Sequence, residues 1–237
     1  YDNGYYIKDT QSDFNTIDEN NDNTPDYWVN GGVNGHHWGD YDNDGDLDYV
    51  QGGFNNAYYH CYYPGVYQNI RHLDIFYNDN GIMRLDTNQV FLIPINPAIV
   101  QWVDINRDGR LDLVTIGSDN TESLRMRVYT NNSDNILTPS IGWDSEMFGV
   151  TAGAIAFADY NSDGYYDFAL TGKNSDEELI TYIVENSINR FTLKYSLQGV
   201  YFGKPAWGDY DADGDLDLVI TGQSSTEGEL GLGSLPV

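Results

Sequence analysis

One short pattern, written four times, limits what this chain can fold into. WGDYDNDGDLDYVQGG begins at Trp38, WVDINRDGRLDLVTIG at Trp102, FADYNSDGYYDFALTG at Phe157 and WGDYDADGDLDLVITG at Trp207, so the motifs span 38–53, 102–117, 157–172 and 207–222. The shared form is aromatic-x-Asp-[Tyr/Ile]-[Asp/Asn]-x-Asp-Gly-x-x-Asp-apolar, closed by a glycine four or five residues later. The first aspartates fall at 40, 104, 159 and 209, giving periods of 64, 55 and 50 residues. A unit that recurs at this spacing is a supersecondary module that buries its apolar faces against its neighbours.

The acidic part cannot be an ordinary strand. Asp40, Asp42, Asp44, Asp46 and Asp48 alternate, and an extended strand points alternate side chains to one face. Like charges about 4 Å apart repel by roughly 4 kcal/mol at an effective dielectric of about 20. A turn removes the problem. The glycine at position six (Gly45, Gly109, Gly164, Gly214) lets the backbone curl where a side chain would clash. The curl brings positions one, three, five and nine to one point. These are Asp40, Asp42, Asp44 and Asp48; Asp104, Asn106, Asp108 and Asp112; Asp159, Asn161, Asp163 and Asp167; and Asp209, Asp211, Asp213 and Asp217. A flexible cage of hard oxygens suits Ca²⁺, with position seven adding a backbone carbonyl; its side chain is then free to vary, as Asp46, Arg110, Tyr165 and Asp215 do. Mg²⁺ wants a tighter octahedron, and zinc wants His or Cys, which the loops lack. An EF-hand needs a bidentate Glu at position twelve between helices. Here position twelve is Gln51, Thr115, Leu170 or Ile220, and the flanks read as strands.

A second landmark follows each loop. MRVYTN, ending at Asn131, and ITYIVEN, ending at Asn186, place Tyr129 and Val184 17 residues after Asp112 and Asp167; LDIFYND in the first repeat ends at Asp79, later because of an insertion. Each repeat therefore reads as strand, acidic loop, strand, third strand and fourth strand. The helix-like start of SDEELITYIVENS, Ser175–Ser187, is outweighed by its register with the other third strands. Four short strands per repeat predict an all-β fold: a β-propeller or a segment of one, with about four blades, each a four-stranded antiparallel sheet with the calcium loop between its first and second strands. Residues 1–237 form one such domain. Tyr1-Asp2-Asn3-Gly4 matches the end of a third strand, and Val237 falls where the last third strand should begin. Either four blades close on themselves or the chain is an excerpt of a longer propeller, and the excerpt is the expectation because nearly all of one third strand is missing.

These residues resemble the FG-GAP/VCBS repeat family, the calcium-loop blades of integrin α-subunit propellers and of many bacterial surface proteins. The style is most similar to repeats in large secreted or surface proteins of Bacteroidetes-type bacteria. The resemblance implies Ca²⁺ at about four loops, an extracellular or cell-surface location, and a role in adhesion, glycan binding or protein–protein contact, often beside an enzyme. The 64-residue repeat and the blade count depart from a family whose propellers usually have about seven blades.

Charge narrows the partners. The chain carries 37 acidic and 11 basic residues, a net charge of −26, so it has little to pair with phosphates; nucleic acid and anionic membrane surfaces are excluded. One cysteine, Cys61, leaves no intrachain disulfide, and no run of about 18 apolar residues exists to span a membrane as a helix.

Other candidates are weaker. The insertion AYYHCYYPGVYQ gathers Tyr58, Tyr59, Tyr62, Tyr63 and Tyr67 around His60, Cys61 and Pro64. Such rings stack on sugars or anchor a partner, or else fold over the blade edge and bury. Asp18, Asn20, Asp22 and Asp26 make a fifth acidic cluster, with Asn23 where the glycine is wanted, that reads mainly as a surface loop. His36 and His37 read as a polar lining near an inner strand, and His60 and His72 lack a carboxylate partner at readable spacing. Asn131-Asn132-Ser133 is a glycosylation sequon. No phosphate loop, nucleophile elbow or zinc-protease motif is present.

The expectation is a calcium-binding, non-catalytic, extracellular adhesion or recognition module with a protein or glycan ligand. The alternatives are a lectin-like module, an accessory domain of a polysaccharide-degrading enzyme, and a structural subunit of a surface filament that self-associates through open propeller ends.

Overall fold

The computed structural model describes residues 16–17, 27–30, 33–58, 67–187 and 190–223. All regular structure among them is β. The strands are β1 (Thr16–Ile17), β2 (Tyr27–Asn30), β3 (Val33–Gly39), β4 (Asp48–Tyr58), β5 (Tyr67–Asp79), β6 (Ile82–Leu85), β7 (Asn96–Val103), β8 (Asp112–Ser118), β9 (Leu124–Asn131), β10 (Leu137–Pro139), β11 (Thr151–Ala158), β12 (Asp167–Lys173), β13 (Leu179–Ser187), β14 (Arg190–Gln198), β15 (Tyr201–Gly208) and β16 (Asp217–Gln223).

They form antiparallel meanders, one per repeat: β3-β4-β5-β6, β7-β8-β9-β10, β11-β12-β13-β14 and the pair β15-β16. These are β-propeller blades, and each acidic loop joins a blade's first strand to its second, as the motif spacing predicts. The Ser175–Ser187 segment contributes strand β13, not a helix. Its acidic start forms the hairpin turn before that strand: Asn174 Oδ1 accepts the backbone N–H of Asp176 and Glu178.

The inner strands neighbour one another in chain order, β3 with β7, β7 with β11, and β11 with β15. Each central blade is therefore covered on both faces, and its strands need no polar side. In β8, Leu113 joins Val50, Ile75 and Trp102 in the core between the first and second blades. Its neighbours Val114 and Ile116 join Phe168 and Leu170 in the core between the second and third. The strict alternation of a strand thus serves two cores at once, which is why the second strands read as near-continuous apolar runs.

The glycine that closes the motif has a structural reason. The register of the first strand slips at one place in every blade, between Val33 and Gly35, Asn96 and Ile99, Thr151 and Ala154, and Tyr201 and Lys204. Facing the third of these bulges, Gly172 has φ +148, and a Cβ there would lie 2.8 Å from the Thr151 carbonyl oxygen. A β-bulge brings two backbones too close for a side chain.

The long first repeat is explained by one hairpin. β4 and β5 stay paired for ten residues, from Tyr49–Phe76 to Tyr58–Tyr67, against six for β8 and β9. β2 pairs with the prolonged part of β4, in line with β3. Tyr58 and Tyr67 face each other at its last described rung; Tyr59, Tyr62, Tyr63, His60 and Cys61 lie outside the described residues. So do the cluster Asp18, Asn20, Asp22 and Asp26 and both chain ends, on which the expectation about ring closure falls.

Candidate metal centre

All four acidic loops have the same backbone. Position six is left-handed glycine, with φ +97 at Gly45, +83 at Gly109, +87 at Gly164 and +98 at Gly214. Position four is left-handed too, at Asn43, Arg107, Ser162 and Ala212, a feature the sequence reading lacks because the residue there varies. The carboxylate at position one accepts the N–H of positions five and six, shown by Asp44 and Gly45 on Asp40, Asp108 and Gly109 on Asp104, Asp163 and Gly164 on Asp159, and Asp213 and Gly214 on Asp209. The side-chain oxygen at position three accepts the N–H of position five, and the carboxylate at position five accepts that of position seven. The alternating aspartates thus convert a would-be strand into a knot of side-chain-to-backbone turns.

Position nine is buried in the first three loops and anchors each to its blade. Asp48, Asp112 and Asp167 are inaccessible to solvent. One carboxylate oxygen takes the backbone N–H of the third-strand asparagine: Asn78, Asn131 or Asn186. The other takes the N–H of position two in three loops, from Tyr41, Ile105 and Tyr210. In the third loop this oxygen, Asp167 Oδ2, is buried without a hydrogen-bond donor. Burial pushes Asp48 and Asp167 up to about 6 and Asp112 up to about 7; the loop's other carboxylates push the same way, and the asparagine N–H opposes them. A bound cation would remove that conflict.

In two of the loops three carboxylates come together, those of positions one, three and nine, without that of position five (Asp44 or Asp213). Asp40, Asp42 and Asp48 each bring one oxygen within 4.8 Å of the others, and so do Asp209, Asp211 and Asp217. In the second and third loops position three is Asn106 or Asn161, a neutral oxygen donor on the same backbone. The second loop is also the most self-paired: Asn106 Nδ2 donates to Asp108 Oδ2 at 3.1 Å, and the Arg110 guanidinium reaches the same oxygen at 2.5 Å. These donor sets fit a hard divalent cation.

Residues 104–170, from the first aspartate of the second loop into β12, match the family model described as an FG-GAP-like repeat. Residues 104–170 thus carry an FG-GAP-like repeat. The first and fourth loops lie outside the matched residues and share their loop geometry, with the same hydrogen bonds and the same left-handed positions. No curated protein matches the chain.

The acidic loops are also joined to one another. Asn131 Nδ2 donates to the carbonyl of Tyr41, in the preceding blade's loop, and Asn186 Nδ2 donates to that of Ile105. Tyr41 stacks on Trp102 with centroids 5.3 Å apart, and Tyr160 on Trp207 at 5.2 Å. Arg107 donates to the Asp163 carbonyl and lies over the Tyr165 ring. The motif's aromatic and its Tyr/Ile are thus two halves of a joint between blades.

The remaining candidates resolve structurally. Asn131 is buried with its amide nitrogen engaged, so the sequon is not a glycan acceptor in the folded protein. His37 Nδ1 accepts the Trp102 N–H, and burial and His36 lower its pKa. His72, expected to lack a carboxylate, has Asp74 at 2.9 Å; two residues apart on one strand share a face, so the spacing was readable.

Proposed function

We propose that the chain is a calcium-stabilised, non-catalytic recognition module of the extracellular space or cell surface. The supporting observation is the fourfold recurrence of one loop geometry, in two copies of which three carboxylates come within 4.8 Å of one another. Asp40, Asp42, Asp44 and Asp48 would hold the first ion, with the Asp46 carbonyl. Asp104, Asn106, Asp108 and Asp112 would hold the second, with that of Arg110. Asp159, Asn161, Asp163 and Asp167 would hold the third, with that of Tyr165; Asp209, Asp211, Asp213 and Asp217 the fourth, with that of Asp215. All-oxygen sets containing neutral as well as charged donors suit Ca²⁺ better than Mg²⁺. The ion's task is structural: it neutralises the loop that anchors each blade, so binding and folding are linked. No helix among the described residues is long and apolar enough to cross a membrane. An extracellular setting supplies calcium at the millimolar level that such modules use, with affinities of about 10⁻⁴ to 10⁻³ M.

Ligand recognition is assigned to the blade surfaces and the extended β4–β5 hairpin. A second reading, a glycan-binding module or an accessory domain beside a polysaccharide-degrading enzyme, rests on the tyrosine-rich sequence AYYHCYYPGVYQ that this hairpin's two strands, β4 and β5, flank. Elemental analysis of chain dialysed against calcium tests the metal reading: about four equivalents per chain are expected, and none would overturn it. Glycan-array binding that is lost on Tyr58→Ala or Tyr67→Ala would support the second reading of the ligand.

A further inference from the structure

Asn131 and Asn186 complete one unbroken line of buried hydrogen bonds that runs from loop to loop. Asp48 Oδ2 accepts the Tyr41 N–H at 2.9 Å. The carbonyl of the same Tyr41 accepts a hydrogen bond from Asn131 Nδ2 at 2.8 Å. The Asn131 N–H donates to Asp112 Oδ1 at 2.8 Å. The pattern then repeats. The Ile105 N–H donates to Asp112 Oδ2 at 3.0 Å, the Ile105 carbonyl accepts from Asn186 Nδ2 at 2.9 Å, and the Asn186 N–H donates to Asp167 Oδ1 at 2.8 Å. Every residue on the line is buried. Among the described residues it ends there, because Asp167 Oδ2 has no donor.

The line enters each loop at the position-nine carboxylate, which the calcium reading makes an ion ligand; Asp48 meets Asp40 and Asp42 within 4.8 Å. It leaves the first and second loops at position two, held there at both N–H and carbonyl. A cation that fixes the first loop therefore fixes the acceptor that Asn131 needs. Asn131 in turn carries the N–H on which Asp112 of the second loop rests. The second ion then meets a loop that has already lost part of its freedom, so ordering it costs less. Linkage makes the effect reciprocal. Repulsion between ions is weakened because the first and third loops hold more carboxylate charge than one divalent ion cancels: Asp40, Asp42, Asp44, Asp46 and Asp48 in one, Asp159, Asp163 and Asp167 in the other.

We propose that calcium fills the first three loops cooperatively, each ion strengthening binding at the adjoining loop through Asn131 or Asn186. The proposal rests on the calcium reading above. The two asparagines are positioning residues: they touch no ion and act through position two of one loop and position nine of the next.

The test is a calcium titration of the whole chain followed by NMR. The amide signals of Gly45, Gly109 and Gly164, each bonded to its loop's first aspartate, report the loops one by one. The three curves are expected to rise together, each steeper than that of an independent site. Asp104→Ala disables the second loop and leaves every member of the line in place. It is expected to weaken calcium binding at the first and third loops about fivefold or more. In an Asn131→Ala background the same change should still weaken the third loop and no longer affect the first. Asn131 is buried; if that variant does not fold, the Asp104→Ala measurement alone decides. Arg107, which also reaches the third loop at the Asp163 carbonyl, supplies the control: coupling of the second and third loops should survive Arg107→Ala, and its loss there would overturn the part given to Asn186. First and third loops that keep their affinity in Asp104→Ala would show independent sites and overturn the proposal while leaving the calcium reading intact. No response to calcium at any loop would overturn both.

Discussion

Asn131 donates its side-chain N–H to the carbonyl oxygen of Tyr41 at 2.8 Å, across 90 residues of sequence, while its backbone N–H is held by Asp112 of its own blade. One residue thus ties the loop of the second blade to the loop of the first, and Asn186 repeats the arrangement one blade on. The acidic loops are therefore fastened both to their own blades and to each other.

Replacing that asparagine should uncouple two blades. Asn131→Ala removes a buried donor and leaves the Tyr41 carbonyl without it, a loss of about 1–3 kcal/mol. Urea unfolding should show this reduction, and calcium titration should show weaker binding at the first loop, whose own ligands are untouched. A variant with unaltered stability would mean that the clasp carries no energy.

Proton and calcium should compete at position nine. Without calcium, Asp48, Asp112 and Asp167 have folded pKa values raised to about 6, 7 and 6, above an unfolded value of about 3.9. A raised carboxyl means the folded state holds protons that the unfolded state has released, so stability falls as pH rises from about 4 to about 7 and then levels off. Calcium-free melts should follow that course, calcium-loaded melts should lose it, and calcium binding near pH 6 should release protons. Calcium-free and calcium-loaded protein with the same pH profile would refute the coupling.

Acid should act in the opposite sense at Asp119. Burial there is outweighed by the Thr121 hydroxyl and N–H and by Arg127, which bring the carboxyl down to about 2. A lowered folded value contributes stability above the unfolded pKa and loses it as pH falls from about 4 to about 2, a change on the order of 2 kcal/mol. Asp119→Asn should flatten the stability profile in that interval.

Arg110 should weaken the second calcium site. Its guanidinium occupies Asp108 Oδ2 and also donates to the Asn131 carbonyl. Arg110→Ser frees that oxygen and removes a positive charge beside the cation, so calcium should bind the second loop several-fold more tightly. Calorimetric titration resolves this as a gain in the weakest class of sites; an unchanged isotherm would show that the guanidinium does not compete.

Ala212 sits at φ +60 in the fourth loop, where the first loop has Asn43 at +59. The left-handed region costs an ordinary residue roughly 1–2 kcal/mol, less for asparagine. Ala212→Asn should therefore tighten the fourth loop, read as a higher calcium affinity there, with no change in the donor set.

The sequence disclosed what is local. Glycine at position six and oxygen donors at one, three, five and nine specify the curl, because every hydrogen bond that makes it lies within seven residues. The strand order followed from the recurring landmarks at Asn78, Asn131 and Asn186. What Asn131 and Asn186 do was not readable, since their acceptors are carbonyls of the preceding blade, and a carbonyl leaves no mark in residue type. The stacking of Tyr41 on Trp102 was hidden for a similar reason: the motif contains both kinds of residue, but the partners come from successive copies. His72 with Asp74 was within reach of the alternation rule and was missed.

The most direct test is a thermal melt followed by circular dichroism in excess EDTA, then after calcium or magnesium is restored. The account predicts a lower melting temperature in EDTA, full recovery with calcium and lesser recovery with magnesium. An unchanged melt in EDTA, with no calcium retained by the protein, would contradict it.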